Sequence, residues 1–252
     1  MALWTRIAHQ WGLLRSVLMY HAIPFRRRQL TRFYAQFIHP GDLCFDIGAH
    51  VGSRLQAWLP LGAHIIAVEP QPQCMRLLRR WYGHHSQITL IEQAVGAMPG
   101  TAELFISPRT PTVTSLSPAW IEKIQSSHGF EQVRWEYAVS VPVITLDQLI
   151  AAHGLPTFCK IDVEGYELEV LKGLSQPIPA LSFEYLPADL NPARRCIAHL
   201  AALGNYRFNG SVGEAQRLHS TVWLDADQML AWLDDRAQTH RSGDIYARLS
   251  GP

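Results

Sequence analysis

Three short stretches of the chain carry residue types that could handle a small charged molecule. The densest is Lys160-Ile161-Asp162-Val163-Glu164-Gly165-Tyr166-Glu167, and Glu184 closes a later apolar run, Ala180-Leu181-Ser182-Phe183. Lys160 and Asp162 flank Ile161, so period-two alternation puts both charges on one side of a strand. Charges at the end of a buried strand are costly unless they are paired or functional. Two readings follow. In the first, Lys160 makes an ion pair with Asp162 or Glu184 and holds the sheet edge. In the second, the carboxylates face a ligand. Asp162 is then the first candidate, with Glu164 and Glu184 behind it, either as a base for a hydroxyl proton or as oxygen ligands for a hard divalent ion such as Mg²⁺. Asp162 and Glu184 are the pair that could share such an ion.

The second stretch is Asp46-Ile47-Gly48-Ala49-His50-Val51-Gly52, whose glycines let the backbone turn tightly and approach a ligand. The third is Val68-Glu69-Pro70. An acid roughly 20 residues beyond a glycine turn is placed to accept both hydroxyls of a ribose. Further on, Ala94 and Val95 in Glu92-Gln93-Ala94-Val95-Gly96 offer small residues and backbone groups to an adenine edge. The third glycine of the dinucleotide fingerprint is missing, as is any phosphate-cradling G-x-x-x-x-G-K-[ST] loop.

The elements that must position these residues alternate along the chain. Apolar runs at 42–47, 64–69, 88–91, 158–162 and 180–186 read as buried strands, and all but the run at 88–91 lead into an amphipathic helical pattern. Alternating stretches at 101–106 and 137–143 read as a strand pair around a Ser/Thr/Pro-rich loop and a short helix at 118–127. Tyr206-Arg207-Phe208 and Asp244 to Leu249 supply closing strands. Repeated strand–helix units imply right-handed crossovers and an α/β, doubly wound, mainly parallel sheet. In such a sheet ligands bind beyond the carboxyl ends of the strands, where all three stretches fall. Neither a repeat nor a linker interrupts the pattern, so one domain is expected over 41–252.

The preceding 1–40 segment is expected to be a helical extension. Leu3, Ile7, Trp11, Leu14 and Leu18 recur at three- and four-residue steps, the stripe of an amphipathic helix. That stripe is expected to pack on the domain or on a second subunit of a homo-oligomer. A membrane-surface helix is the weaker reading, although Arg26, Arg27 and Arg28 follow it. Polar residues break every apolar run before it reaches membrane-span length.

Composition narrows the function classes. With 48% apolar and 17% charged residues among 252, a substantial core is available and wholesale disorder is excluded. A formal charge of +1 argues against nucleic-acid binding by bulk charge. Cys44, Cys74, Cys159 and Cys196 are scattered, without a metal-binding or disulfide spacing, and read as apolar fillers in a reducing, cytoplasmic compartment.

Taken together, FDIGAHVGS, AVEPQP, EQAVG, TSL, VITLDQL and FCKIDVEGYELEVLKGL resemble the FkbM family of S-adenosylmethionine-dependent methyltransferases. The resemblance runs from roughly Phe33 to Tyr185, and the closing GDIYARL is similar as well. It implies a class I methyltransferase (Rossmann-like) fold with a seven-stranded sheet, and S-adenosylmethionine as cofactor. The implied reaction is methylation of a hydroxyl oxygen on a small-molecule acceptor, a sugar or natural product. It assigns Asp46, Gly48 and Gly52, with Ala49 between them, to the methionine end of the cofactor. Glu69 goes to the ribose, and Ala94 and Val95 to the adenine. His50 stands where many members have Asn. The loop from Ser107 to Ser117 and the stretch from Asn209 to Ser220 are expected to border the acceptor. An NAD-type oxidoreductase and a catalytically silent nucleotide-binding module remain the alternatives on the glycine turn and ribose acid alone.

Overall fold

The computed structural model describes residues 11–19, 26–127, 130–213, 215–239 and 241–250. Its centre is a seven-stranded sheet in the order β3-β2-β1-β7-β8-β10-β9. The strands are β1 (Leu43–Ile47), β2 (His64–Val68), β3 (Ile88–Ile91), β7 (Phe158–Ile161), β8 (Ala180–Tyr185), β9 (Tyr206–Val212) and β10 (Gly243–Leu249). β1, β2, β3, β7 and β8 are parallel, whereas β10 runs antiparallel to both β8 and β9. This is the mainly parallel, helix-flanked sheet that the class I methyltransferase resemblance implies. A second sheet was not foreseen. The pair β5 (Gly100–Ile106) and β6 (Tyr137–Ile144) joins β4 (Ala94–Val95) in a separate three-stranded sheet.

Alternation along the parallel strands sorts the core onto two faces. Phe45 and Ile47 of β1 pack on one side, with Cys159, Ile161, Phe183 and helix α8 (Asn191–Leu203). Cys44 and Phe158 face the other, with α2 (Arg26–Tyr34), α3 (Ser53–Trp58) and α4 (Pro72–Tyr82). All four cysteines are buried and unpaired, as expected of fillers. The remaining helices are α5 (Pro118–Ile124), α6 (Leu146–His153), α7 (Glu167–Lys172) and α9 (Ala226–Asp234). Thr145 opens α6 with a reciprocal capping box, its hydroxyl accepting from Gln148 N while Gln148 Oε1 accepts from Thr145 N.

The 1–40 segment does not behave as one unit. Leu30, Phe33 and Tyr34 of α2, with Phe37 and Ile38, belong to the core beneath β1. We propose that the extension proper ends before Arg26. Residues 11–19 are helical and form α1. Of the two expected packings, the one on the domain is not found: Trp11, Leu14 and Leu18 are 67%, 47% and 55% exposed. The buried face of α1 consists of Gly12 and Ser16, and a side chain at Gly12 would overlap the Pro108 carbonyl oxygen. Two small residues let the helix backbone lie close against the loop, which turns the large apolar residues outward. Leu3 and Ile7 lie outside the described residues.

Phe158 is the keystone of the second face. Its ring stacks on Phe37 at 5.2 Å and meets Tyr34 and Trp58 edge-on at 5.6 and 5.7 Å. Phe158→Ala should therefore cost about 3–5 kcal/mol, read by urea unfolding. A loss below about 1 kcal/mol, the range of surface substitutions, would show that this aromatic cluster does not hold α2 on the sheet.

Candidate active site

The carboxyl ends of β1, β2, β7 and β8 open into a cleft lined by Asp46, Glu69, Asp162 and Glu184. Backbone bonds fix its floor. Gly48 N and Ala49 N both donate to Val68 O, at 2.9 and 3.0 Å, and Asp162 N donates to Ile47 O at 2.9 Å. The turn after β1 is thus tied to β2 on one side and β7 on the other. Gly48 has φ +88°, and a Cβ there would overlap the Asp162 carbonyl oxygen, so glycine is required twice over. His50 follows in the left-handed region at φ 49°. His tolerates that conformation better than most residues.

Two buried carboxyls line the first half of the cleft. Glu69 is 2% exposed; its Oε2 accepts from His50 N at 2.7 Å and its Oε1 from Gln71 N at 2.8 Å. An ionised carboxylate offers about four lone-pair sites, so each oxygen retains acceptor capacity for a ribose hydroxyl. Asp46, 1% exposed, leaves its Oδ2 without a hydrogen-bond partner among the described residues. A buried orphan of that kind suits the amino group of an incoming ligand. Ala94 and Val95 are buried at the cleft wall. We propose that Asp46 meets the amino-acid part of S-adenosylmethionine, Glu69 the ribose, and Ala94 with Val95 the adenine.

The second half of the cleft is organised by Lys160, which is 1% exposed. Its Nζ lies 3.2 Å from Asp162 Oδ2 and 3.0 Å from Asp244 Oδ1. The expected Lys160–Asp162 pair is present, but no Lys160–Glu184 pair accompanies it among the described residues. Lys160 stands opposite Ser182 in the β7–β8 register, two residues short of Glu184, and Asp244 of β10 takes the second place. Burial works to discharge Lys160, but Asp162 and Asp244 keep it protonated above the ordinary lysine value. Burial likewise works to raise the Asp162 carboxyl, yet Lys160 and Arg54 hold it below the usual aspartate value.

Glu164 and Glu184 behave in the opposite way. Burial and the neighbouring carboxylates push both well above the ordinary glutamate value. With Asp162 they form a triad whose ligand oxygens all lie within 4.8 Å of one another. Glu164 sits at φ 54°, in a turn stapled by Glu167 Oε1, which accepts from Val163 N and Gly165 N at 3.2 Å each. Ser115 Oγ donates to Glu164 O at 2.6 Å, tying the 107–117 loop to the same turn. Pro111, Thr112, Thr114 and Leu116 of that loop line the cleft, whereas among the described residues of 209–220 only Gly213 does.

The sequence reading missed Arg54, Gln71 and Asp244, all of which line the cleft. A lone acid opening the closing apolar run, like Asp46 and Asp162 at their strand ends, was the available signal for Asp244.

The profile of the methyltransferase FkbM domain matches residues 46–242, most of the chain. The chain belongs to the FkbM methyltransferase family. Among curated relatives of this FkbM protein is the hexuronic acid methyltransferase AglP of Haloferax volcanii, 25% identical over 158 residues. The match covers 62% of this chain and 59% of that protein. Similar solved structures include the precorrin-6y C5,15-methyltransferase of Geobacter metallireducens, with a TM-score of 0.43 and 13% identity over 89% of this chain and 87% of that one. An S-adenosylmethionine-dependent O-methyltransferase of Thermotoga maritima gives a TM-score of 0.43 and 11% identity, over 94% of this chain and 71% of that one.

Burial pushes both Asp46 and Glu69 up to about 7, against Arg54 and Lys160 at the first and the backbone donors at the second. A ribose or an ammonium binds the ionised forms, so ligand binding must release these protons. Each carboxyl that must ionise costs about tenfold in affinity per pH unit below its pKa. S-adenosylhomocysteine should therefore bind progressively more weakly as pH falls below about 7. Glu69→Gln should lose at least about tenfold in affinity and show a shallower pH slope. The ligand-free protein has the opposite sign. Glu69 favours folding fully below its unfolded value of 4.5, and that contribution is lost as pH rises through about 7. Calorimetric affinities flat between pH 6 and 8 would remove both carboxyls from the cofactor site.

Proposed function

We propose that this protein transfers the methyl group of S-adenosylmethionine to a hydroxyl oxygen of a saccharide. The single observation that carries the reading is the Asp162–Glu164–Glu184 triad on the wall of the cleft that also holds Asp46 and Glu69. Similarity to a hexuronic acid methyltransferase supports the sugar acceptor. A bound S-adenosylmethionine supplies a methyl group already activated on a sulfonium, which leaves the chain two tasks. One is to align the acceptor oxygen, and the other is to remove its proton.

For proton removal, the carboxyls with raised affinity are the better instruments. A carboxylate held strongly acidic by Lys160 and Arg54, such as Asp162, is a weak base but a firm hydrogen-bond acceptor that can orient a hydroxyl. Burial and neighbouring carboxylates raise the proton affinity of Glu164 and Glu184, so either one, when ionised, is a stronger base than Asp162. In this proposal Asp162 positions the acceptor, Glu184 takes the hydroxyl proton as the oxygen accepts the methyl, and Glu164 tunes Glu184. Lys160 is a positioning residue that acts through Asp162. The closeness of the three oxygens favours one second reading, in which the triad holds a divalent ion such as Mg²⁺ that acidifies the hydroxyl.

Glu184→Gln and Asp162→Asn should each lower kcat by roughly 10²–10⁴-fold while S-adenosylhomocysteine affinity stays close to wild type. Turnover is followed with a hexuronic acid glycoside as acceptor, and product NMR locates the methyl group. Indifference to EDTA supports the direct base; activity lost to EDTA and restored by Mg²⁺ supports the ion. Near-normal turnover in both variants defeats both versions.

A further inference from the structure

We infer that α1, together with the arginines that follow it, is a docking surface for an anionic lipid bilayer and brings the mouth of the cleft to that surface. The first observation is the inverted face of α1. Trp11, Leu14, Leu18 and Met19 are 67%, 47%, 55% and 40% exposed, with Arg15 exposed among them. Four large apolar side chains on the described turns of one helix, unpartnered among the described residues, form a stripe of the kind that marks an interaction site. Gly12 and Ser16 fix its orientation, since both are buried against the domain and a side chain at Gly12 would overlap Pro108.

The second observation is charge, and it is independent of the first. Residues 1–41 contain Arg6, Arg15, Arg26, Arg27, Arg28 and Arg32 and not one Asp or Glu. The other 211 residues then carry 16 of the 22 Lys and Arg against all 21 Asp and Glu, so a strongly basic segment precedes a net acidic domain. Arg27, Arg28 and Arg32 are exposed on α2, and Arg26 Nη1 donates to Met19 O at 3.4 Å, which joins the basic helix to the end of the apolar one. A near-neutral total conceals this polarity.

An apolar stripe with a basic flank is the arrangement that buries Trp and Leu at the acyl boundary and sets arginines among anionic headgroups. Competing occupants fit less well. A second copy would set two wholly basic segments against each other. A nucleic acid would satisfy the arginines and leave the apolar stripe in water. α1 also rests on Pro108 and on Pro111, which lines the cleft, so docking holds the 107–117 loop beside the lipid. An acceptor carried at that surface meets the cleft without leaving the membrane. The inference depends on α1 and α2, not on the carboxylate triad.

Co-sedimentation of the full chain with vesicles tests it. Wild type should pellet with vesicles containing about a third phosphatidylglycerol, remain in solution with pure phosphatidylcholine, and be released by raised salt. The Leu14→Ser/Leu18→Ser and Arg27→Ala/Arg28→Ala double variants, all at exposed positions, should each weaken binding at least about tenfold. Both should keep wild-type affinity for S-adenosylhomocysteine, which separates lost docking from lost folding or a wrong active site. Equal binding to both vesicle types, or to neither, overturns the proposal. So does a dimer in solution that Leu14→Ser/Leu18→Ser dissociates while vesicles are ignored, because that result assigns the face to a second copy.

Discussion

The active end of this molecule depends on one buried cation. Lys160 lies almost wholly out of water at the carboxyl end of β7, where an unpaired ammonium would be untenable. Asp162 and Asp244 make it tenable, and each consequence runs outward from that arrangement. Asp244 belongs to β10, so the ion pair links the antiparallel end of the sheet to its parallel centre across 84 residues of sequence. Asp162 is both oriented and kept ionised. Asp46 stands opposite Lys160 in the β1–β7 register, so the same charge, after Arg54, moderates the buried carboxyl proposed to meet the cofactor. One lysine thereby sets the electrostatics of both halves of the cleft.

How much of this was legible in the sequence follows from the range of the interactions involved. β1, β2 and β7 are buried on both faces, so they read as continuous apolar runs, and the acids and glycines ending them mark the site. β9 was legible only to Phe208. It continues to Val212 through Asn209 and Ser211, polar residues that look like a loop until their burial is seen. Asn209 is accommodated because its Nδ2 donates to Ser220 O and its Oδ1 accepts from Gly210 N. Asp244 was ambiguous for a related reason: its partner is far away in sequence, and a lone acid before an apolar run also suits a solvent-exposed strand start. The helical period in 11–19 was real, but periodicity does not say which face docks. At α1 close fit of glycine and serine outweighs hydrophobic burial.

The turns that present the site carry a cost that explains their surroundings. His50 and Glu164 are two of only three non-glycine residues with positive φ among the described residues, and both line the cleft. Such conformations persist only where neighbours overdetermine them. For His50 the overdetermining contact is Glu69, which accepts its N–H; for Glu164 it is Glu167 from below and Ser115 from the side. Glu69 therefore has two duties: it staples the turn and keeps lone pairs free on the cleft side, where a ribose is proposed to bind. Glu167, buried and pushed up to about 7 by burial, has the first duty without the second. The difference between a structural and a binding carboxylate here is whether acceptor capacity is left facing the cleft.

The 107–117 loop is where these constraints converge. Ser115 binds the turn that carries Glu164, and Pro111 O accepts from Gln71 Nε2 at 3.2 Å, beside the ribose acid. Pro108 and Pro111 also form the seat of α1. A single segment thus touches the acceptor side of the cleft, the cofactor side and the helix with the exposed apolar face. Two prolines and residues bound at both ends leave it little freedom, since each proline removes a backbone torsion from play. Any load placed on α1 is consequently borne by a stiff element that walls the cleft, not absorbed by a slack loop. The same stiffness explains why Gly12 must be small. A rigid seat cannot retreat from a side chain, so the helix has to approach it with none.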